Sequence, residues 1–367
     1  MRCIFTGGGT LGHTNPAIAV AEKVRKLDND AEIIFIMREG GNENSSVLKR
    51  GFKIIEIPAV GLNRKGGLTK SLKTTKATIG GINKCLKIIK RFKPNFIFGT
   101  GGYVSFAPMM AGMICRIPTY VHESNSTPGL VTKLLVRLGA TPMVNISETK
   151  SLLPQKKKCT VVGMPLLSDF AKTTRWRAKE ILGIPKDKIL IVSFGGSGGA
   201  EIINETIMSS MLKRSNNCKS IAHIHATGSK YFVDAKTKYP MLVSGLNGQR
   251  IVPKIENMAI HMNAADIIIC RCGAATLAEI ASIGRAAILI PSPNVTDNHQ
   301  YKNGKILVDK GAAVMIEEKD LTEDTLAKQI EILTESKEIR KKLEDNISTL
   351  KNPNSADTVA RILLNYQ

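Results

Sequence analysis

At 367 residues the chain is long enough for two domains, each with its own core. Its longest apolar run, 106–115, contains Pro108 and Gly112 and stops at Arg116, well short of the ~20 residues of a membrane-spanning helix. Seven cysteines without a signal-like N-terminus argue against a disulfide scaffold, Cys270 and Cys272 are too close for a zinc knuckle, and the formal charge of +21 calls for an anionic partner. A cytosolic protein with reduced thiols and no metal is expected.

The first strand pattern, 2–6, runs straight into Gly7, Gly8 and Gly9 and then Thr10, Leu11, Gly12 and His13; a helix pattern follows over 16–27, with Pro16 suited to its first turn. Further strand patterns lie at 32–37, 53–57, 95–99, 119–122, 143–145 and 159–162. In the second half, 189–194 runs into the glycine-rich 195–199 and a helix near Asn204, and strand patterns recur at 220–225, 266–270, 286–290 and 313–316. Continuous apolar strands alternating with helices predict an α/β protein of two doubly wound domains with parallel sheets. The boundary is placed near 163–168, giving an N-terminal domain 1–164, a C-terminal domain 165–350, and a last segment 351–367 whose helix crosses back onto the first domain. Ligands of such domains bind beyond the carboxyl ends of the strands, which predicts a functional cleft between the halves.

Both glycine loops join a strand to a helix, so each aims backbone N–H groups and a helix N-terminus at an anion such as phosphate. Gly101 and Gly102 form a third such turn before Tyr103, so the first half offers two loops for one anionic group. Gly7, Gly9 and Gly12 match GxGxxG, but the second strand ends at Met37 and Arg38 instead of an acidic residue, which argues against a nicotinamide cofactor. His13 reads either as a phosphate donor or general base, or as a residue merely bonded to backbone at the helix start. Thr276 and Glu279 have the spacing of a capping box, or alternatively meet a phosphate and a ribose. Asp28 and Asp30 spell DxD but fall in a polar turn away from the glycine loop, so a solvated turn is the reading there. His299 and Gln300 offer neutral groups suited to sugar hydroxyls.

Residues 1–170 hold 25 Lys and Arg against 10 Asp and Glu, and no acidic residue occurs between Glu56 and Glu123. Arg64, Lys65, Lys70, Lys73, Lys76, Lys84, Lys87, Lys90, Arg91, Lys93 and Arg116 lie in that gap, interleaved with Leu68, Leu72, Ile79, Ile82, Leu86 and Ile89 at helical spacing. Nucleic acid, an anionic membrane surface or plain solubility each account for the charge. The membrane is favoured, because aromatics are only 5% of the chain and form no stacking cluster of the kind nucleic-acid binders use.

The segments GGGTLGHTNPA at 7–17, GTGGYVS at 99–105, HESNSTPGL at 122–130, GGSGGA at 195–200, CRCGAATLAEIASIG at 270–284 and NHQYKN at 298–303 together resemble the MurG family, in the same order and across nearly the whole chain. The resemblance implies a GT-B glycosyltransferase that transfers N-acetylglucosamine, with inversion, from UDP-N-acetylglucosamine to the C4 hydroxyl of the undecaprenyl-pyrophosphoryl-muramyl-pentapeptide of peptidoglycan synthesis, working peripherally at the cytoplasmic face of the membrane without metal or other cofactor. It implies donor contacts from Thr10, Gly12, Asn125, Ser197, Ile255, Ala275, Thr276, Glu279, His299 and Gln300, with Glu279 on the ribose and Ser197 and Thr276 near the diphosphate. Acceptor contacts fall to Gly9, His13, Gly102 and Tyr103. His13 is the first candidate for general base and Glu123 the second. Leu11, Thr132, Met164 and Leu167 depart from the family pattern and keep a related lipid glycosyltransferase, on diacylglycerol or another acceptor, as the alternative; a basic nucleic-acid-binding module is the more distant one.

Overall fold

The computed structural model describes residues 1–61, 68–154, 158–171, 173–215 and 220–365, without the side chains of 68–74, 171 and 215. Arg64, Lys65 and Cys218, and the side chains of Leu68, Lys70, Leu72 and Lys73, therefore lie outside the described part. The chain divides into two compact units, one of Met1–Leu167 with Asn352–Gln367, the other Ser168–Lys351.

Unit 1 carries strands β1 (Arg2–Thr6), β2 (Glu32–Arg38), β3 (Lys53–Ile57), β4 (Phe96–Gly99), β5 (Thr119–Glu123), β6 (Thr141–Val144) and β7 (Thr160–Val161). They form one parallel sheet in the order β3-β2-β1-β4-β5-β6-β7. Its strands are nearly continuous apolar runs because both faces are covered. On one face Phe5, Phe35, Phe96 and Phe98 pack with Ala17, Ile18, Val20, Ala21 and Val24 of the Leu11–Leu27 helix. Val359, Ala360, Leu363 and Leu364 of the Ser355–Leu364 helix join that same cluster, so a segment some two hundred residues further along completes the unit. On the opposite face the helices Leu68–Phe92, Gly102–Ile114 and Leu130–Leu138 share a second cluster with Ile4, Ile97 and Val121.

Unit 2 carries β8 (Ile189–Phe194), β9 (Ile221–Ala226), β10 (Gln249–Val252), β11 (Ile267–Cys270), β12 (Ala286–Leu289) and β13 (Val314–Met315), parallel and in the order β10-β9-β8-β11-β12-β13. Strand β10 escapes the sequence pattern: Gln249 and Arg250 break its apolar run, and buried Gln249 donates its Nε2 to the carbonyl of Ile221 at 3.0 Å.

Two helix starts also differ from expectation. The first helix begins at Leu11, which puts Pro16 inside it. Pro16 has no N–H to give the Gly12 carbonyl, while Thr14 Oγ1 and the amides of His13 and Thr14 all donate to the carbonyl of Thr10 and hold the opening turn. The helix after β8 begins at Glu201, directly behind the glycines.

Truncating Leu363 to alanine leaves a cavity in the cluster the last helix shares with the first. Leu363→Ala is expected to lower unit 1 stability by about 2–5 kcal/mol, read as an earlier urea transition by circular dichroism; an unshifted midpoint would show that this helix is not part of the unit's core.

Candidate functional site

In each unit the strand order reverses once, beside β1 and β4 in unit 1 and beside β8 and β11 in unit 2. Parallel strands send every following loop out of the same sheet edge, and the reversal is where two such loops separate and leave room for a ligand. Thr6 pairs with Gly99, so the loop after β1 and the loop after β4 leave side by side. Phe194 pairs with Cys270, and Cys270 with Leu289, so the loops after β8, β11 and β12 do the same.

In unit 1, His13 and Thr100 lock the two loops together. His13 Nδ1 lies 2.9 Å from the Thr100 carbonyl and Thr100 Oγ1 donates to the His13 carbonyl at 2.6 Å. A carbonyl only accepts, so Nδ1 carries a proton, and in the neutral tautomer this selects Nε2 is the acceptor. That nitrogen faces Gly102, the first residue of the Gly102–Ile114 helix, where a Cβ would stand 3.5 Å from it. Gly9 has φ +88°, and a Cβ there would come within 2.9 Å of the Tyr103 ring, so Gly9, Gly102, Tyr103 and His13 form one group. Thr10 is exposed at the helix N-cap and Gly12 is half-buried in its first turn.

Two carboxylates alter the sequence reading of this half. Glu43, which no motif singled out, is 5% exposed and accepts the amide of Gly9 at 2.6 Å. The first glycine loop therefore already has a carboxyl group on one of its donors, whereas the Gly102–Ile114 helix opens at Gly101 without a side-chain cap. Glu123 is buried at the end of β5 and accepts the Asn125 amide at 3.0 Å, Asn125 Nδ2 at 3.2 Å and the Gly129 amide at 3.1 Å. Its oxygens are engaged in shaping the loop that carries Asn125. Asp28 accepts the amide of Asp30 within its own turn and the amine of Met1 from the start of the chain.

Unit 2 gathers its candidates along one edge in sheet order. Half-buried Ile255 follows β10, exposed Ser197 follows β8, Ala275, Thr276 and Glu279 ride the Ala274–Ile283 helix after β11, and His299 and Gln300 open the His299–Asp309 helix beyond β12. Gly195, Gly199, Ala200, Arg271, Ser292 and Gln300 line an open pocket of about 640 Å³. Gln300 Oε1 accepts the Ser292 amide at 2.9 Å, which turns its NH₂ outward as a donor, and His299 Nδ1 lies 2.9 Å from the Thr296 carbonyl. Arg271 is ion-paired with Glu318 in the pocket wall.

Helix Ala274–Ile283 is capped by Gly273 without any side-chain bond, so Thr276 and Glu279 form no capping box. Glu279 sits one turn inside, where burial pushes its carboxyl up to about 8, and among the described residues it has no hydrogen-bond partner. Such a group holds its proton at neutral pH while the site is empty and keeps hydrogen-bonding capacity for a ligand's hydroxyls, two of which it accepts once ionised. Of the departures from the family pattern, Thr132 is buried beside Gly101, Met164 is buried, Leu167 packs on the unit 1 core, and Leu11 is 38% exposed. Thr100 and Glu43 were missed because their partners lie 87 and 34 residues away.

Residues 3–141 match the glycosyltransferase family 28 N-terminal domain and residues 190–359 the glycosyltransferase family 28 C-terminal domain. The chain is 37% identical over 364 residues to the UDP-N-acetylglucosamine--N-acetylmuramyl-(pentapeptide) pyrophosphoryl-undecaprenol N-acetylglucosamine transferase of Thermoanaerobacter sp. (strain X514), covering 99% of both chains. It is 36% identical over 364 residues to the protein of that name from Acetivibrio thermocellus, covering 99% of this chain and 97% of that one. Among solved structures it superposes on Acinetobacter baumannii MurG with a TM-score of 0.74 at 24% identity over 99% of both chains, and on a Neisseria meningitidis UDP-GlcNAc 2-epimerase bound to UDP-GlcNAc with 0.72 at 13% identity over 100% of both. These structures share the fold of two Rossmann-like halves.

Because folding raises the Glu279 pKa, the native state holds a proton that the unfolded chain releases near pH 4.5, and stability falls as pH rises from there toward 8. Relative to Glu279→Gln, the wild-type chain is expected to lose up to about 1.4 kcal/mol per pH unit across that window. Urea midpoints at pH 5, 6, 7 and 8 check this; a constant difference would remove the raised carboxyl.

Proposed function

The chain belongs to glycosyltransferase family 28, and from its sites we propose that it moves N-acetylglucosamine from UDP-N-acetylglucosamine to the C4 hydroxyl of undecaprenyl-pyrophosphoryl-muramyl-pentapeptide. The observation that carries the reading is the edge of unit 2, where a phosphate-type glycine loop, an unpartnered carboxyl and the amide of Gln300 stand after neighbouring strands, offering one group each to a diphosphate, a ribose and a sugar. Relatives near 37% identity along 99% of the chain favour this acceptor over a diacylglycerol-type one.

In this reading unit 2 holds the donor. Glu279 accepts the ribose hydroxyls, Ile255 borders the uracil, and Ser197, Ala275 and Thr276 meet the diphosphate at two helix N-termini. His299 and Gln300 serve the sugar, as does Asn125, held by Glu123. Thr10 and Gly12 are assigned to the donor as well, and Gly102 and Tyr103 to the acceptor's pyrophosphate, with Gly9 shaping the loop beside them because Glu43 holds its amide. His13 takes the base role over Glu123, since its Nε2 is open and its Nδ1 proton is fixed by the Thr100 carbonyl.

The displacement is then a single step. The C4 oxygen forms its bond to the anomeric carbon from the face opposite the diphosphate while its proton passes to His13 Nε2. The bond from the anomeric carbon to UDP breaks, its electron pair stays on the β-phosphate oxygen, and the sugar is inverted. Charge growing on that oxygen is stabilised by the amides of 195–199 and the positive ends of the Glu201–Ser215 and Ala274–Ile283 helices. No step of this reading calls on a metal or another cofactor.

The lipid acceptor requires a membrane surface, and we assign it to the outer face of three unit 1 helices. No helix among the described residues is long and apolar enough to cross a bilayer. Ile89 is buried and Ile82 and Leu86 pack inward, so a single helix lying on the bilayer is not the arrangement. Instead Ile79, Ile114, Leu134 and Leu138 stand exposed on three neighbouring helices, with Lys76, Lys84, Lys87, Arg116 and Arg137 exposed around them. This face, with apolar side chains among the cations, suits anionic headgroups at the cytoplasmic side better than nucleic acid.

Incubation with UDP-N-acetylglucosamine and the lipid-linked muramyl-pentapeptide should yield the disaccharide lipid; turnover only on another lipid overturns the acceptor. His13→Ala should cut kcat by about 10²–10⁴ with little change in donor KM, and a rate above a tenth of wild type moves the base elsewhere. Replacing Lys76, Lys87 and Arg137 together by Glu should weaken binding to phosphatidylglycerol vesicles by at least about a hundredfold; unchanged binding leaves those residues as a solvated face.

A further inference from the structure

Behind the glycine loop of unit 2 runs a line of buried polar side chains that touches none of the proposed substrate contacts. Ser193 on β8 and His223 and His225 on β9 are wholly buried, and Asn204 on the Glu201–Ser215 helix is 2% exposed. Arg214 Nη2 lies 2.8 Å from His223 Nδ1, His223 Nε2 2.7 Å from Ser193 Oγ, and Ser193 Oγ 2.8 Å from His225 Nδ1. His225 Nε2 then lies 3.1 Å from Asn204 Oδ1, and Asn204 Nδ2 donates to the Thr227 carbonyl at 2.8 Å.

The two ends fix the direction of every link. A guanidinium only donates, so His223 Nδ1 accepts and its Nε2–H donates to Ser193; the single serine hydrogen passes to His225 Nδ1, whose Nε2–H donates to Asn204. At the far end a carbonyl only accepts, which independently demands the same polarity from the asparagine amide. Both imidazoles must be neutral for the line to close, and burial does hold them so, His225 down to about 3 and His223 well below its ordinary value.

The terminus of the line is the point of closest approach to the glycine loop. Gly199 has φ +76°, and a Cβ there would fall 2.1 Å from the Thr227 carbonyl oxygen; a Cβ on Gly228 would fall 2.8 Å from the Gly199 amide nitrogen. The 227–228 turn therefore sets where Gly199 lies, and Asn204 sets where the turn lies.

We propose that the line from Arg214 to Asn204 is a brace for the diphosphate loop, with Ser193 and Asn204 as positioning residues that hold the Thr227 carbonyl under Gly199 and so aim the 195–199 amides. The inference rests on reading unit 2 as the donor site. It separates two parts of one ligand: the diphosphate depends on the brace, whereas the nucleoside contacts at Ile255 and Glu279 do not.

Titration of the full-length chain with UDP and with uridine, by calorimetry or NMR, tests it. Asn204→Ala should raise the UDP Kd about tenfold, the order expected for one lost buried hydrogen bond, and leave the uridine Kd within about twofold. Asn204→Asp keeps the shape and the bond from His225 but points an acceptor oxygen at the Thr227 carbonyl, so its UDP loss should equal or exceed that of alanine. Should either variant fail to fold, Ser193→Ala, which interrupts the line at its centre with the loss of one atom, decides on the same criterion. Wild-type UDP affinity in the folded variants, or parallel weakening of UDP and uridine, overturns the brace alone; a wild-type chain that binds no UDP overturns the donor site and the brace with it.

Discussion

Every strand of both sheets runs parallel to its neighbours, and the chemistry depends on that constraint. Parallel strands leave all their following loops at one edge, and the single reversal of strand order in each sheet sets two of those loops beside each other with helix N-termini behind them. Neither glycine loop would amount to a site in isolation. Register does the assembling, as when Phe194 pairs with Cys270 and so brings loop 195–199 beside the helix that carries Glu279.

The two units use this edge differently. In unit 2 the loop glycines stay open and the titratable group, Glu279, is left without a partner, so the site keeps unsatisfied capacity for hydroxyls and phosphate. In unit 1 the capacity is largely spent internally: Glu43 occupies the Gly9 amide, Thr100 holds one side of His13, and Glu123 is tied to its own loop. What unit 1 leaves exposed is one imidazole nitrogen and a helix N-terminus. In the proposed reaction that division assigns proton transfer to unit 1 and nucleotide binding to unit 2.

Much of this was legible in the sequence because it is local. A continuous apolar run ending in glycines announces a buried strand and its loop, and that pattern located β1 and β8 and most of their neighbours. The signal failed where long-range contacts decide. Strand β10 is two apolar residues beside a buried glutamine, and the start of the first helix was misjudged because the bonds to the Thr10 carbonyl outweigh the positional preference of Pro16. Glu43 and Thr100 gain their meaning only from partners far along the chain. The brace left one trace, the alternate histidines of a strand that is otherwise apolar, which place two imidazoles on a single face.

The Ser355–Leu364 helix has a consequence for the order of events during synthesis. Unit 1 begins the chain, yet part of the cover over Phe5 and Ala17 is encoded at its far end. A ribosome therefore releases all the material of unit 2 before unit 1 has its last layer, and the nascent first half waits with an apolar seam open. Burial of that seam must wait until the helix Ser355–Leu364 has been made, after the whole of unit 2.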